Sequence, residues 1–194
     1  MASIQEFKAN LLGGGARANQ FKVELNFPAI VPGVGDAARK AQFLCTAASL
    51  PGSHLDVAPV AYRGRVVPLP GERTFRPWTI SIINDTDFDI RDAFERWSNA
   101  VNNVRDNTGV TNPMLTTAQM SVHQLDRNNN VIKSYTFVDA WPNDVGEIQL
   151  DYSNNNTIEI FTVELQYLYW EPKTTASGIT ASVGISTPFG SVSI

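Results

Sequence analysis

The side chains that most often carry catalysis or bind metals are few and scattered in this chain. Two histidines, His54 and His123, lie far apart in the sequence and on different predicted elements. The single cysteine, Cys45, lies in a predicted apolar strand, where a buried and unreactive thiol is the usual state. One cysteine excludes an intrachain disulfide and a cysteine metal cluster. We therefore predict no catalytic, cofactor-binding or metal-binding residues, and a protein that is not an enzyme.

Three aspartates, Asp85, Asp87 and Asp89, have the spacing that begins a calcium-binding loop. Such a loop needs glycine at its sixth position and glutamate at its twelfth, where this chain has isoleucine and arginine. The calcium signature therefore fails. The interpretation we favour is a helix cap, in which Thr86 and Asp89 form a capping box.

The charge of the chain is distributed unevenly along its length. The formal net charge is −4, but residues 1–76 carry +4, residues 77–133 carry −2 and residues 134–194 carry −6. An acidic chain repels nucleic-acid phosphate, which argues against a nucleic-acid-binding protein. A basic first third and an acidic last third would attract each other in head-to-tail assembly, whereas the alternative is an ordinary solvated surface.

The most acidic part of the chain is residues 139–171, which contain seven Asp or Glu and no Lys or Arg. Within it, Glu147–Tyr152 alternates polar and apolar residues, the pattern of a half-buried strand. Trp141–Asp144 has the composition of a turn before this strand, and Ser153–Asn156 of a turn after it. Thr157–Trp170 is predicted as a longer second strand. Two successive apolar residues break its alternation, which indicates either a bulge or a strand that leaves one packed surface and joins another. We therefore predict an acidic hairpin.

The remaining residues are predicted to form strands before and after one long helix, which the apolar stripe of Ile90, Phe94, Trp97, Val101 and Val104 indicates. The other predicted elements are a short N-terminal helix at Ser3–Leu12, strands at Phe21–Phe27, Ala41–Leu50, Val57–Leu69 and Thr74–Asn84, an exposed loop at Leu50–Pro59, and a hairpin of Met114–Leu125 and Val131–Ala140. This order predicts a mainly β fold, an antiparallel β-sandwich or barrel with one packed α-helix.

The length of 194 residues fits one domain, which we place at residues 1–172, with residues 173–194 as a C-terminal extension. The extension is rich in Ser, Thr, Gly and Ala, but apolar residues alternate from Ile179 to Ile185. We predict an extra arm onto a neighbouring subunit, and the alternative is a flexible tail. With no apolar run of about 18 residues, the chain is predicted to be soluble and made in a cytoplasm.

Two stretches of the sequence resemble the tail tube proteins of contractile-tailed bacteriophages. The first is Gly71–Ile80, with Ile83–Asp85 and the helix that carries Phe94 and Trp97. The second is Trp141–Pro142, Val145–Tyr152, Asn154–Asn156 and the closing Tyr169–Glu171. The segments Asn19–Glu24 and Thr46–Gly52 fit the same family.

The resemblance implies a structural virion protein whose hexameric rings stack into the inner tail tube, with an inner barrel completed by ring assembly. It implies a contractile sheath around the tube, a baseplate and a tail terminator at its ends, and a tape measure protein in the lumen. Phage DNA would pass through without specific binding, and no cofactor or small-molecule substrate is implied. Two alternatives share the fold: a tube-initiator protein at the baseplate, and a tube protein of a type VI-like secretion or tailocin machine.

Residue roles follow from the resemblance as hypotheses. The candidates for the lumen surface are Glu147, Gln149, Asp151, Glu159, Glu164 and Gln166. The candidates for ring stacking or for the subunit interface are Ile4, Phe7, Leu50, Ser53, His54, Leu55, Arg73 and Trp78. The alternative for the acidic residues is a surface that faces the sheath, and the alternative for Trp78 is a place in the core.

Overall fold

The computed structural model describes residues 3–11 and 15–173. The elements in chain order are α1 (Ile4–Asn10), β1 (Phe21–Glu24), α2 (Gly35–Leu44), β2 (Cys45–Ala48), β3 (Ser53–Tyr62), β4 (Arg65–Phe75), β5 (Trp78–Ile83), α3 (Asp89–Val101), α4 (Pro113–Thr116), β6 (Ala118–Leu125), β7 (Val131–Val145), β8 (Ile160–Gln166) and β9 (Tyr169–Lys173). The protein is mainly β and every strand pair is antiparallel, as the sequence predicts.

Two sheets share the long strand β7. Its first half pairs with β6 and β9, and β1 pairs with β6, which gives a first sheet. Its last residues pair with β8, and the second sheet then has the order β7–β8–β5–β2. The change of partner falls between Ala140 and Trp141, next to Asp139, whose φ of 54° bends the backbone. A single strand therefore joins the two layers of the fold.

The core lies between the two sheets and is closed by α2 and α3. Alternate residues of β5 and β8 are buried and directly opposite each other, while the residues between them face outward. One stripe of α3 supplies the other large side chains. The core side chains of these three elements are Trp78, Ile80, Ile82, Ile90, Phe94, Trp97, Phe161, Val163 and Leu165. The predictions for β5 and for the stripe of α3 as far as Val101 are therefore confirmed, whereas Val104 lies beyond the helix and is 92% exposed.

The start of α3 differs from the predicted capping box. Phe88 occupies the N-cap position with a φ of 57°, and its side chain cannot accept a hydrogen bond from the helix. The carboxylates of Asp85, Asp87 and Asp89 contact the ammonium of Lys40 instead. The capping box is therefore wrong, because the acidic residues bind a cation from another helix.

The prediction of a strand at Ala41–Leu50 is wrong in its first half, where α2 continues to Leu44. Ala37 and Ala41 lie one helical turn apart and are buried against β1 and α3. Such small side chains allow close packing but give a weak apolar signal in the sequence. Two long helices, α2 and α3, therefore pack on the sheets, whereas the sequence predicts only one packed helix.

The predicted exposed loop at Leu50–Pro59 and the predicted single strand at Val57–Leu69 are both wrong. Ser53–Phe75 is one β-hairpin, in which β3 and β4 meet at Arg63 and Gly64. Both turn residues have positive φ (46° and 80°), the geometry of a tight two-residue hairpin turn. The sequence hides this turn, because arginine is uncommon at a position with positive φ.

The predicted acidic hairpin is also wrong in detail. β7 runs through Trp141–Asp144 to Val145, so the predicted turn is part of a strand. Residues 146–159 are irregular, because their alternating side chains find no partner strand. β8 pairs with β5 without interruption from Ile160 onward, so the predicted bulge is absent there. The bulges of the second sheet lie in its two outer strands, between Pro142 and Asp144 in β7 and between residues 45 and 47 in β2.

The predicted C-terminal extension lies outside the described residues, except for Lys173 at the end of β9. The N-terminal helix is confirmed at Ile4–Asn10.

Candidate functional site: the assembly surfaces

The hairpin Ser53–Phe75, called the projecting hairpin below, is almost entirely exposed. Its two strands pack on each other and make no extensive contact with the other described elements. Its exposed apolar side chains are Leu55, Val57, Val60, Tyr62, Val66, Val67 and Leu69. A two-stranded hairpin with this much uncovered apolar surface is marginal alone in water and is typical of a protein–protein contact.

Aromatic side chains anchor the base of the projecting hairpin. The ring of Phe75 packs against Tyr167 and Trp170, with centroids 6.0 Å and 6.5 Å away. The Trp170 indole N–H donates to the carbonyl of Gly52 at 3.3 Å, and the Tyr167 hydroxyl donates to the carbonyl of Arg76 at 2.8 Å. Burial raises the pKa of Tyr167, so the donor stays protonated. The base of the hairpin, called its root below, is therefore fixed to the fold, whereas the rest of the hairpin has no such contacts with the other described elements.

The N-terminal helix α1 is formed but uncovered. Ser3 and Glu6 make a capping box, in which each side chain binds the other residue's backbone N–H. All residues of the helix are exposed, including Ile4 (76%) and Phe7 (64%). A seven-residue helix is not stable by itself. The apolar face of α1 therefore needs a surface to pack on.

The second sheet has a polar outer face and two open edges. Between the buried residues of β5 and β8, the side chains of Thr79, Ser81, Thr162 and Glu164 point away from the core. Glu164 lies opposite Asp144 of β7 and accepts a hydrogen bond at 3.0 Å from a neighbouring asparagine. In the described part of the chain, no other strand pairs with the outer edge of β2 or with the last residues of β7.

The predicted lumen residues occupy two separate regions. Glu164 and Gln166 lie on β8, whereas the others lie on Gly146–Glu159, called the acidic loop below. Glu147 and Gln149 bond to each other at 3.4 Å, and Glu159 accepts from Asn84 at 2.9 Å. The backbone N–H and the hydroxyl of Ser153 donate to Asp151 and lower its pKa. The six residues are therefore divided between a strand and a loop.

An apolar groove of about 660 Å³ borders the open edge of β7. Met114, Trp141 and Leu168 line it and are 85%, 37% and 63% exposed, and Asp139 and Asn143 add polar groups. Sequence reasoning missed this groove because its residues come from three distant segments. It also missed the apolar projecting hairpin, whose only signal is the run of valines in residues 57–67.

The predicted interface residues are mostly exposed, with one correction. Leu50 is 47% exposed beside the root of the projecting hairpin, and His54 and Arg73 are exposed on its strands. Trp78 is 1% exposed, stacks on Phe137 and donates its indole N–H to the Ser49 carbonyl at 2.8 Å. Trp78 is therefore a core residue, because its side chain is not accessible to a neighbouring subunit.

The polar clusters of the described residues serve structure. His54 pairs with Asp56 at 3.3 Å on the exposed hairpin. His123 accepts or donates at 2.7 Å with Ser134, and its other ring nitrogen lies 3.4 Å from Glu24. The hydroxyl and imidazole of this pair are 85% or more covered within the first sheet, which leaves little room for a substrate. The hydrogen bond from Lys22 lowers the pKa of Glu24, although burial of the carboxyl opposes this.

The aspartate cluster holds an ammonium group. The Lys40 Nζ lies 2.7 Å from Asp85 and 3.3 Å from Asp87, and it also contacts Asp89. These carboxylates, Asp85 first and Asp89 second, raise the pKa of Lys40. The ion pairs tie α2 to the segment before α3, so the cation that the cluster binds comes from the chain itself.

These features define a structural protein whose exposed surfaces are suited to contact other chains rather than to catalyse a reaction. The family model described as "Phage tail tube protein" matches residues 16–173. The chain therefore belongs to the phage tail tube protein family, whose members are structural and not enzymatic.

Known relatives agree over most of the chain. The tail tube protein of Serratia phage KSP90 is 30% identical over 169 residues, which cover 86% of this chain and 95% of the relative. The tail tube protein of Enterobacteria phage T4 is 31% identical over 160 residues, with coverage of 82% and 93%. The resemblance to the contractile-phage tail tube proteins is therefore confirmed.

Solved structures share the fold at lower identity. A chain of the anti-feeding prophage baseplate superposes with a TM-score of 0.61 and 17% identity, covering 82% of this chain and 96% of that one. A chain of the sheath–tube complex of the PVC extracellular contractile injection system superposes with a TM-score of 0.55 and 11% identity, covering 90% of this chain and 100% of that one. The protein is thus a tail tube structural protein of contractile phage-like systems and a virion component. Among the described residues, no helix has the length and hydropathy to cross a membrane.

Proposed function

We propose that six copies of the domain at residues 1–172 close into a ring and that such rings stack into the inner tube of a contractile tail. The observation that carries this proposal is the second sheet, in which four strands alternate in direction between two open edges. When β2 of one copy pairs with the end of β7 of the next, the added pairing is again antiparallel. Closure of the ring removes both exposed edges, which are otherwise sites of aggregation.

The lumen of this tube is formed by the outer face of the second sheet. Thr79, Ser81 and Thr162 supply hydroxyl groups there, and Glu164 with Asp144 supplies negative charge. Among the described strands of this sheet, the outward residues include no Lys or Arg. Such a surface repels phosphate, so DNA can slide past it without being retained. Of the predicted lumen residues, we keep Glu164 and Gln166 for this role.

Contacts between rings come from the ends of the subunit. The projecting hairpin, with Leu50, Ser53, His54 and Leu55 near its root and Arg73 on β4, supplies one surface. The helix α1, with Ile4 and Phe7 uncovered, supplies another. The partners of the assembled tube are a contractile sheath, a baseplate, a tail terminator and a tape measure protein. The solved neighbours come from baseplate and sheath–tube assemblies, which supports the baseplate and the sheath among these partners.

Negative-stain electron microscopy of the purified protein tests the proposal. We expect six-fold rings or hollow tubes at high protein concentration, or after addition of the baseplate. Ala47→Lys places a charge on the open edge of β2 and should prevent ring closure. Gln119→Lys, on an exposed position of a strand with two partners, is the matched control and should leave rings intact.

Two outcomes would overturn the proposal. A wild-type chain that stays monomeric with the baseplate present contradicts the tube, and rings of unchanged yield from Ala47→Lys contradict the assigned edge. A chain that binds the baseplate as a single ring and never extends would support the initiator alternative.

A further inference from the structure

The projecting hairpin and the acidic loop leave the second sheet at opposite ends. The hairpin ends at Phe75, just before the first residue of β5, Trp78. The acidic loop ends before Ile160, which pairs with the last residue of β5, Ile83. The six residues of β5 separate the two roots by about 20 Å. Copies of the subunit placed head to tail along this strand direction therefore bring the hairpin of one copy to the loop of the next.

The outer half of the projecting hairpin is basic and apolar. Residues 57–70 contain two charged side chains, Arg63 and Arg65, and both are positive. Arg63 lies over the ring of Tyr62, 5.3 Å from its centroid, and Tyr62 is 61% exposed. The tight turn at Arg63 and Gly64 holds the three side chains at the tip of a paired hairpin. The tip therefore presents an aromatic and cationic surface to its surroundings.

The acidic loop has the complementary character. Residues 146–159 contain three carboxylates, Glu147, Asp151 and Glu159, and no Lys or Arg. These residues border a groove of about 420 Å³, whose apolar lining is Ile148, Leu150, Ile158 and Ile160. Leu150, Ile158 and Ile160 are 80%, 66% and 51% exposed. The loop is held to the fold at both ends, where Arg91 donates to the Gly146 carbonyl at 3.0 Å and Asn84 donates to Glu159.

We propose that the outer half of the projecting hairpin of one copy docks on the acidic loop of the next copy, with Arg63 and Arg65 facing Glu147, Asp151 and Glu159. This inference rests on the proposed tube, and it assigns the surface that receives the hairpin. The contact joins two different surfaces of the same chain, so it repeats without limit along an axis. It covers apolar side chains of both surfaces, and the charges fix which end meets which.

Charge reversal tests the pairing directly. Arg63→Glu with Arg65→Glu makes the hairpin tip negative, and Glu147→Arg with Asp151→Arg makes the loop positive. We expect each double variant to form rings and to lose at least about tenfold in the fraction of stacked rings, because several weak pairs act together around each ring. The quadruple variant restores opposite charges and should recover tubes. Arg105→Glu with Arg127→Glu, at exposed positions on neither of the two segments, is the control with the same change in net charge as the hairpin variant.

The outcomes separate this inference from the proposed ring. Electron microscopy counts rings and tubes, and sedimentation velocity measures association of chains that form no rings. Rings whose stacking is unaffected by the two double variants, or is not recovered in the quadruple variant, overturn the docking and leave the ring standing. A different result would be linear association without rings. If the charge reversals abolish that association and the quadruple variant restores it, the ring is overturned and the docking is supported. A wild-type chain that shows no self-association by either method overturns both.

Discussion

Replacement of Trp97 by phenylalanine tests how the core holds α3 to the sheets. Trp97 is fully buried, stacks beside Phe94 at 6.2 Å and meets the edge of Phe27 at 5.7 Å. Its indole N–H donates to the carbonyl of Thr116 at 2.7 Å, just before β6 begins. Phenylalanine keeps one aromatic ring in this place but removes the donor and part of the volume.

The expected loss follows from two effects. Phenylalanine is smaller than tryptophan by ~40 Å³, and a cavity of that size costs about 1 kcal/mol at 24 cal/mol per Å³. The Thr116 carbonyl loses its partner in a buried place, which costs about 1–3 kcal/mol. We therefore expect Trp97→Phe to lower the free energy of unfolding by about 2–4 kcal/mol. That is a large part of the 5–15 kcal/mol that is typical of a domain.

Urea unfolding at low protein concentration measures this change, because assembly would otherwise add stability by mass action. Trp141→Phe is the matched control, since Trp141 is 37% exposed on the groove at the edge of β7. We expect the control to stay within about 0.5 kcal/mol of the wild type. A loss below about 1 kcal/mol in Trp97→Phe, or equal losses in both variants, would refute the role assigned to the buried indole.

Burial raises the pKa of the Cys45 thiol to about 11 from an ordinary 9.0, so at pH 8 we expect iodoacetamide to react about 100-fold more slowly with the folded chain than with the urea-unfolded chain. Equal reaction rates of the folded and unfolded chains would contradict the burial. Because the folded state favours the neutral thiol, the contribution of this group to the free energy of unfolding is lost as pH rises above 9.0. Replacing Lys40 by methionine leaves three carboxylates with oxygens within 4.8 Å of one another, so we expect a lower Tm. Calcium at ten times its Kd should raise the free energy of unfolding of Lys40→Met by about 1.4 kcal/mol and leave that of the wild type unchanged. An equal response of both chains would contradict the role of Lys40 as the cation of the cluster.

The sequence predicts those elements whose apolar period matches a surface of the core. Trp78, Ile80 and Ile82 alternate because β5 buries one face, and the 3.6-residue stripe of α3 is visible because that helix buries large side chains. The exposed side of the same helix carries the ion pairs Arg91–Glu95 and Arg96–Asp92, whose members lie four residues apart. In each case the residues that form the signal are close in sequence and face the same environment.

The failed predictions concern segments whose environment depends on distant or absent partners. In α2, buried alanines give no strong period, although they decide the packing. Residues 147–152 alternate like a strand but form none, because β5 and β7 already pair with β8 on both of its sides. The projecting hairpin is apolar on surfaces that its own subunit leaves exposed. Local pattern therefore identifies the core, and it cannot identify a surface whose partner is another chain.

The same separation applies to the predicted site. Exposure of Ile4, Phe7 and Leu55 agrees with a role in contacts, since such side chains gain from being covered. For Trp78 the alternative of a place in the core holds, because its side chain is buried and its indole N–H donates to a carbonyl of the same subunit. The lumen candidates are the polar residues of the acidic segment, and polarity alone does not distinguish a strand face from the loop at its end.

The alternating second sheet has a consequence for the stoichiometry of any ring built from it. Because each copy contributes four strands of alternating direction, a ring of five, six or seven copies closes without a parallel pair of strands. Hydrogen bonding between strands therefore does not select the number of copies. The selection must come from curvature, the angle through which one sheet turns between its two edges. Both edge strands, β2 and β7, carry a bulge, and bulges are the devices that bend and twist strands. In the proposed ring, the diameter of the channel would therefore depend on two local irregularities of the backbone, at residues 45–47 and 142–144.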